Sequence, residues 1–236
     1  MNKIQKAASL EKDLKKCADP AKAKILQRFF KTKKGEYGFG DVFLGISVPK
    51  QRQIAKEYMD MPLTEASKLL RGKIHEYRLS ALILLVEKYK KGDEKLKKQI
   101  VKTYFDNLKH IDNWDLVDLS APYILGDFFL REDKGRLKKM AKSSNLWERR
   151  IAMISTFAFI RKNDFRLTLL LAKSFLKDKH PLIHKATGWM LREVGKRDKK
   201  ALRDFLDSNA NQMPRIMLSY AIEKFDEKER KKFLKP

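Results

Sequence analysis

The segment from Asp112 to Leu130 reads DNWDLVDLSAPYILGDFFL, and the rest of the chain is organised around it. It begins like a helix, because Asp112 can cap the first turn and Asp115 follows three residues later as a capping-box partner. Beyond that turn the segment is apolar on nearly every side, which predicts a buried helix. Pro122 lacks the backbone donor that would bond the carbonyl of Asp118, so the helix should kink there.

Asp118 places a carboxylate inside this apolar segment, with Trp114 one turn earlier on the same face. A buried charge costs stability unless something compensates it. One interpretation is a buried ion pair with Arg150 of the adjacent helix, which would hold two repeats together. The other is a functional carboxylate surrounded by basic residues. Asp115 is most simply a cap, and no chemistry is assigned to it.

The charge balance indicates a polyanionic partner. Lys and Arg number 54 against 30 Asp and Glu, which gives a formal net charge of +24. That excess is far beyond what solubility requires, so DNA or RNA is the first expected partner and an anionic membrane surface the second. A hydrophobic fraction of 43% argues against disorder as the reason for so many charges.

The cysteine content and the lack of long apolar segments indicate a soluble cytoplasmic protein. A lone Cys17 excludes an internal disulfide and any CxxC site. The N-terminus has no apolar core typical of a signal peptide. The longest strongly apolar run, 81–86, is far too short to span a bilayer. We expect cytoplasmic localisation, with the protein associated with the nucleoid when it binds DNA.

Helical periodicity runs from end to end, and no convincing alternating strand interrupts it. Four N-terminal helices are predicted at 3–17, 21–30, 49–59 and 64–71. Five apolar helices are predicted near 75–90, 113–130, 146–162, 181–196 and 214–225. Lys-rich helices alternate with them at about 93–107, 134–141, 164–177 and 199–206.

The five apolar helices align in register. The aligned segments begin at Arg78, Asp118, Arg150, Lys185 and Arg215, with spacings of 40, 32, 35 and 30 residues. A period near 35 residues with two helices per unit is typical of an α-solenoid. The sequence therefore predicts an all-α fold, an α-solenoid of HEAT-like helix pairs that spans residues 1–236 as a single domain.

The aligned first position is basic in four helices and acidic only at Asp118. Such a stack exposes one set of helices on a concave face, so this face is predicted to be basic. The residues predicted to track a phosphate backbone are Arg78, Arg150, Lys185 and Arg215. All three tryptophans lie in these helices, and Trp147 is interpreted as a packing residue. Trp114 and Trp189 share their faces with a carboxylate and an ammonium, which weakens a purely structural interpretation.

Two further features have competing interpretations. Residues 31–41, KTKKGEYGFGD, form either a flexible connector or a basic loop that touches phosphate, and the connector is preferred. His180 and His184 have the spacing of a helical metal pair, but no carboxylate or cysteine motif accompanies them, so no metal is expected. No motif for a phosphate-cradling loop or an iron–sulfur cluster is present, and no cofactor is expected.

Four segments, DNWDLVDLSAPYILGDFFL, LWERRIAM, HKATGWMLREVGKRD and FLGISVP, resemble the AlkD-type family of DNA alkylation repair proteins. They occur in the expected order between about residues 43 and 225, while the N-terminal third, including Ser47, matches less well. The resemblance implies a HEAT-like solenoid that binds duplex DNA along its concave face and excises N3- and N7-alkylpurines. It places the catalytic aspartate on Asp118, the groove tryptophans on Trp114 and Trp189, and a phosphate-contacting arginine on Arg150.

These residues suit a monofunctional DNA glycosylase. A cationic alkylated purine leaves without a general acid, so the site must stabilise an oxocarbenium-like sugar with a carboxylate and aromatic faces. Asp118, Trp114 and Trp189 supply those groups. No lysine has the apolar setting of a Schiff-base nucleophile, which predicts hydrolysis without strand cleavage. The expected ligand is double-stranded DNA with alkylated bases, bound by a monomer that makes no membrane contact.

Two other classes of function compete with this one. A non-catalytic HEAT-like module could bind damaged or branched DNA, or structured RNA, with the same basic groove. A protein-interaction scaffold is a common use of α-solenoids, but the net charge of +24 argues against it.

Overall fold

The computed structural model describes residues 5–234 and consists of α-helices joined by short turns. Within those residues the strand-type pairing is confined to an isolated bridge between Val42 and Ile74. None of the described helices is both long and apolar enough to cross a membrane. The chain divides into two compact units, one up to Ile124 and one from Leu125 onward.

The helices of the first unit follow the sequence prediction closely. They are α1 (Ala7–Lys16), α2 (Pro20–Phe29), α3 (Val48–Lys56), α4 (Leu63–Leu70), α5 (His75–Lys91), α6 (Glu94–Asp106) and α7 (Trp114–Ser120). The helix predicted over 3–17 begins at Ala7 in the described chain, and its first two predicted positions lie outside the described residues. As predicted, Asp19 caps α2, since its carboxylate accepts from the backbone N–H groups of Ala21 and Lys22 at 3.1 and 3.0 Å.

α5 is the central helix of the first unit. It packs against α3, α4 and α7, and its residues 75–86 are all buried. A helix that is apolar nearly all round needs neighbours on every side, which explains why several helices surround it. The start of α7 is therefore held against the start of the most buried helix of this unit.

The predicted break at Pro122 is confirmed. α7 ends at Ser120, and a π-helical turn, Pro122–Gly126, follows before the chain continues as a helix. Pro122 has no N–H to donate to the carbonyl of Asp118, so the regular ladder cannot continue through this point. The regular helix that carries Asp118 therefore ends within one turn of this residue.

The second unit contains shorter helices. They are α8 (Asp127–Arg131), α9 (Gly135–Met140), α10 (Leu146–Ser155), α11 (Phe157–Ile160), α12 (Arg166–Ser174), α13 (Pro181–Arg197), α14 (Lys199–Asn209), α15 (Arg215–Ala221) and α16 (Glu227–Leu234). The helix predicted over 146–162 is divided at Thr156, whose hydroxyl donates to the carbonyl of Met153 at 2.7 Å. Such bonding back to the preceding turn competes with the helical ladder.

Two boundaries near the C-terminus differ from the prediction. The helix predicted over 214–225 ends at Ala221, and α16 was not predicted at all. α16 buries none of its residues and reads EKERKKFL, so it lacks the apolar stripe from which a helix is recognised.

α13 is the central helix of the second unit and packs against α10, α14 and α15. Gly188 lies where α13 meets α15, because a Cβ at this position would stand 2.4 Å from the carbonyl oxygen of Met217. Only a residue without a side chain allows the two helix backbones to approach this closely.

Within each unit, successive apolar helices pack on one another. α5 contacts α7 in the first unit, while α10, α13 and α15 contact in turn in the second. The Lys-rich helices α6 and α14 pack beside α5 and α13. The predicted fold class, an all-α solenoid of helix pairs, is confirmed by this arrangement. The single-domain organisation and the basic concave face remain predictions.

Candidate active site

Trp114 and Asp118 lie one turn apart on α7, as the sequence predicts. The helix is capped by Asn113, whose side-chain oxygen accepts from the N–H of Trp114 at 2.8 Å. The prediction that Asp112 caps this helix is wrong. Its carboxylate instead accepts a hydrogen bond from the guanidinium of Arg78 and is not available to the helix.

The indole of Trp114 is half-buried and fixed by aromatic contacts. Its ring stacks on Phe30 with centroids 5.0 Å apart and planes 13° apart, and it meets the edge of Phe29 at 5.9 Å. Phe30 in turn stacks on Phe43 at 5.0 Å, and Phe43 stacks on His75 at 4.5 Å. A series of stacked aromatic rings therefore connects α5 to α7 and fixes the plane of the indole.

Asp118 is half-buried and lies near a buried hydroxyl network. The Tyr104 hydroxyl and Ser120 Oγ are 3.0 Å apart, and Ser120 also donates to the carbonyl of Leu116 at 2.6 Å. Burial raises the pKa of Tyr104, and the negative charge of Asp118 raises it further. The Tyr104 phenol therefore stays protonated at neutral pH and is close enough to Asp118 to respond to its charge.

A buried charge network holds the start of α7. His75, 1% exposed, lies with its Nε2 2.8 Å from Asp115 and its Nδ1 3.0 Å from Asp41. The Arg78 guanidinium donates to Asp41 and to Asp112. Burial alone would lower the pKa of His75, but the two carboxylates raise it to about 9. At neutral pH the ring is an imidazolium that donates from both nitrogens.

This network is not evident from the sequence, in which Asp115 has the position of a cap and Asp41 lies at the end of a predicted loop. The available signal was the pair His75 and Arg78, one turn apart on a helix otherwise too apolar to tolerate charges. Two cations buried on one face require carboxylates, and these come from positions that are distant in sequence.

Glu76 fixes the segment that precedes α3. It is 1% exposed, and its Oε1 accepts from the backbone N–H groups of Gly45 and Ile46 at 2.8 and 3.2 Å. Its Oε2 accepts from the N–H of Leu44 at 2.9 Å. The segment after residue 41 is thereby tied to the first turn of α5, directly beside the network of His75.

In the second unit, Lys185 and Trp189 lie one turn apart on α13, as predicted. Lys185 is exposed and Trp189 is half-buried. The indole N–H of Trp189 donates to Glu193 at 3.1 Å, and its ring lies 6.4 Å from that of Phe157. The ammonium group of Lys185 and the indole of Trp189, which is hydrogen-bonded to Glu193, therefore lie one turn apart on α13.

The four basic residues of the predicted stripe differ in burial. Lys185 and Arg215 are exposed, while Arg150 is 5% exposed and donates to the carbonyl of Leu182 at 2.5 Å. Arg78, 4% exposed, has its charge balanced by two carboxylates. We therefore no longer expect Arg78 to contact phosphate, because breaking this pairing would leave buried charges uncompensated. Phosphate contacts by the other three remain predictions.

The two histidines with metal-pair spacing have structural partners. His180 accepts from the N–H of Leu182 at 3.1 Å, and His184 Nε2 lies 2.6 Å from the carbonyl of Asp178. Both rings fix the start of α13. Among residues 5–234, no group of three or more potential ligands is arranged to hold a metal ion.

Comparison with known proteins identifies one family. The model of the family described as DNA alkylation repair enzyme matches residues 10–225. A solved structure described as a predicted DNA alkylation repair enzyme from Enterococcus faecalis superposes with a TM-score of 0.68 at 15% identity, covering 96% of this chain and 100% of that one. No match was found among curated proteins.

Proposed function

Because this chain belongs to the DNA alkylation repair enzyme family, we propose that it is a monofunctional DNA glycosylase for cationic N3- and N7-alkylpurines in duplex DNA. The observation that carries the proposal is the pairing on α7 of a half-buried carboxylate, Asp118, with an indole one turn earlier, Trp114. The other functions that the family name allows do not require this pairing.

The main contribution required of the protein is electrostatic stabilisation of the transition state. An alkylated purine already carries a positive charge, so the bond from C1′ to the base nitrogen breaks with its electron pair passing to the base, which leaves neutral. The sugar is left as an oxocarbenium-like cation. Asp118 stabilises that cation by its negative charge, and the face of Trp114 does so by its ring quadrupole. Water then adds to C1′ and loses its proton to the carboxylate or to solvent.

The environment of Asp118 suits that role. The charge of a half-buried carboxylate is screened less by solvent than that of one on the open surface. The stack of Phe30 against Trp114 holds the indole in a fixed plane before any ligand binds, so little ordering is needed at the moment of reaction. Trp189 is proposed as the second aromatic face, and Arg150, Lys185 and Arg215 as phosphate contacts.

The test is incubation of the purified protein with duplex DNA that carries N7-methylguanine or N3-methyladenine. Released bases are separated by chromatography, and the DNA is run on a denaturing gel with and without alkaline treatment. A glycosylase releases bases and leaves strands that break only after alkali. Tight binding to this DNA with no base release over a long incubation would replace the enzyme by a non-catalytic binding module.

A further inference from the structure

The segment between α2 and α3 contains an ordered loop, residues 31–40, referred to below as the lysine loop. Its backbone is closed by successive turns: Gly38 N donates to the carbonyl of Lys31 at 3.1 Å, and Phe39 N donates to that of Glu36 at 3.1 Å. The Glu36 carboxylate also accepts from the N–H of Lys33 at 2.8 Å. The segment is therefore a series of hydrogen-bonded turns and not an extended connector.

The lysine loop is anchored beside the helix that carries Trp114. Asp41, which directly follows it, accepts from the side-chain amide of Asn113 at 3.0 Å, and Asn113 is the cap of α7. Gly38 is packed so closely that a Cβ there would stand 2.4 Å from the carbonyl oxygen of Phe30, the residue that stacks on Trp114. The loop and the indole thus belong to one rigid part of the first unit.

The outer side of the lysine loop has the composition of a nucleic-acid contact. Lys31, Lys33 and Lys34 are exposed, and none of them pairs with a carboxylate within the described residues. Phe39 is 66% exposed, which is costly for an aromatic ring in water. Lysines of the helices are often neutralised locally, as Lys102 is by Asp106 at 2.6 Å. The loop keeps its charges available.

We propose that the lysine loop is a second DNA-contacting surface of this protein. Lys31, Lys33 and Lys34 contact backbone phosphates, and Phe39 packs against sugar or base edges of the duplex beside them. The proposal rests on the proposed function for its ligand but adds a contact region that neither the aligned basic positions nor the paired tryptophans include. A preformed loop loses little conformational freedom on binding, so its contacts contribute efficiently to affinity.

The test is a salt titration of binding to a short duplex, followed by fluorescence anisotropy. Each phosphate contact contributes about 0.9 to the slope of log affinity against log salt for duplex DNA. Replacing Lys31, Lys33 and Lys34 together by alanine should therefore lower the slope by up to about 2.7. Phe39→Ala should weaken binding on the order of tenfold with an unchanged slope, since it removes an apolar contact and not a charge.

The matched control removes the same charge elsewhere in the first unit. Lys95, Lys98 and Lys102 are exposed on α6, and replacing all three by alanine leaves the same net charge as the loop variant. This control should keep the wild-type slope within error. Equal slope losses in both triple variants would show a general charge effect and overturn the proposal, as would unchanged binding in the loop and Phe39 variants.

The outcomes also separate this proposal from the proposed function. Wild-type protein that fails to bind duplex DNA at low salt would overturn both. If the wild-type protein binds DNA and releases bases, and the loop variants bind DNA as the wild type does, only the role of the lysine loop is overturned. Loop variants that bind DNA normally but lose a complex with an acidic protein would assign the loop to a different partner. Circular dichroism confirms that each variant is folded.

Discussion

His75 Nε2 lies 2.8 Å from the Asp115 carboxylate, and this contact joins the most buried helix of the first unit to the helix that carries Trp114 and Asp118. Its other nitrogen is held by Asp41, so a single protonated ring links three chain segments. A charged group at this depth is tolerated because both of its donors meet carboxylates. The contact that positions α7 therefore depends on the second ring proton of His75.

The first prediction concerns pH. Burial opposes the charged form of His75, but the two carboxylates raise its pKa to about 9 in the folded protein, against a usual value of 6.5. The folded state therefore holds an extra proton between these two values. The stabilisation should be complete below about pH 6.5, fall as pH rises, and be lost above about pH 9. Its size is on the order of 3 kcal/mol. Urea unfolding followed by circular dichroism at several pH values measures it.

His75→Gln tests the same network by substitution. The amide cannot donate to both carboxylates, so Asp41 and Asp115 lose a shared cation. We expect the free energy of unfolding at neutral pH to fall by about 3–5 kcal/mol, as for a broken buried pair. Its dependence on pH between 6.5 and 9 should also disappear. His110→Gln is the control, because burial lowers the pKa of that ring and no carboxylate among residues 5–234 is hydrogen-bonded to it. A pH dependence retained in His75→Gln would assign the proton elsewhere.

Asp118→Asn separates a catalytic carboxylate from a structural one. The amide preserves the shape of the side chain but removes the charge that would face the sugar cation. Excision should fall by on the order of 10²–10³, or about 2.7–4 kcal/mol, by analogy with a lost transition-state donor. DNA binding should persist or tighten, because an acid near phosphates repels the ligand. Single-turnover excision and thermal unfolding are measured on the same preparation.

The control for this substitution is Asp106→Asn, an exposed acid on α6, which should change neither excision nor stability. A variant of Asp118 that is destabilised yet excises at the wild-type rate per folded molecule would refute the catalytic role. It would make the carboxylate a structural charge of the fold.

Lys185 and Arg150 should respond differently to truncation although both occupy the aligned basic position. Lys185 is exposed, so Lys185→Ala should lower the salt slope of DNA binding by about 0.9 and leave stability within about 0.5 kcal/mol. Arg150→Ala should also destabilise the second unit, because it removes the donor to the partly buried carbonyl of Leu182. Salt titrations and thermal unfolding of the two variants, compared directly, measure this contrast. Equal stability of both would contradict the structural role of Arg150.

Gly188 and Gly195 provide a matched pair on α13. A Cβ at 188 would stand 2.4 Å from the carbonyl oxygen of Met217, and that backbone cannot move without shifting α15. Gly188→Ala should destabilise the protein by about 1–3 kcal/mol. A Cβ at 195 would stand 2.4 Å from Cδ2 and 3.3 Å from Cβ of the buried Leu202, so this side chain must shift. The gain in helix propensity from Gly to Ala, about 1 kcal/mol, offsets part of that cost, so Gly195→Ala should destabilise the protein less than Gly188→Ala. Thermal unfolding of both variants decides whether the α13–α15 contact is as close as described.

The features that could be predicted from the sequence are those that depend on neighbours along the chain. The helix positions follow from apolar spacing, and the break after Ser120 follows from the missing N–H of Pro122. The pairing of Trp114 with Asp118 follows from one helical turn. Each of these is set by backbone geometry within a few residues, so tertiary contacts had little power to change it.

Tertiary structure decided which charges are paired and which remain available. His75 meets carboxylates 34 and 40 residues away, and no local pattern encodes such a meeting. Asp112 has the position of a helix cap in the sequence, but its carboxylate pairs with Arg78 instead. Leaving a buried guanidinium unpaired costs more free energy than capping the helix with a different residue. Arg78 and Lys185 hold the same place in the repeat, yet one is buried in a network and the other is exposed. Their difference arises from long-range partners, whose free energy of pairing in a buried environment outweighs any local preference.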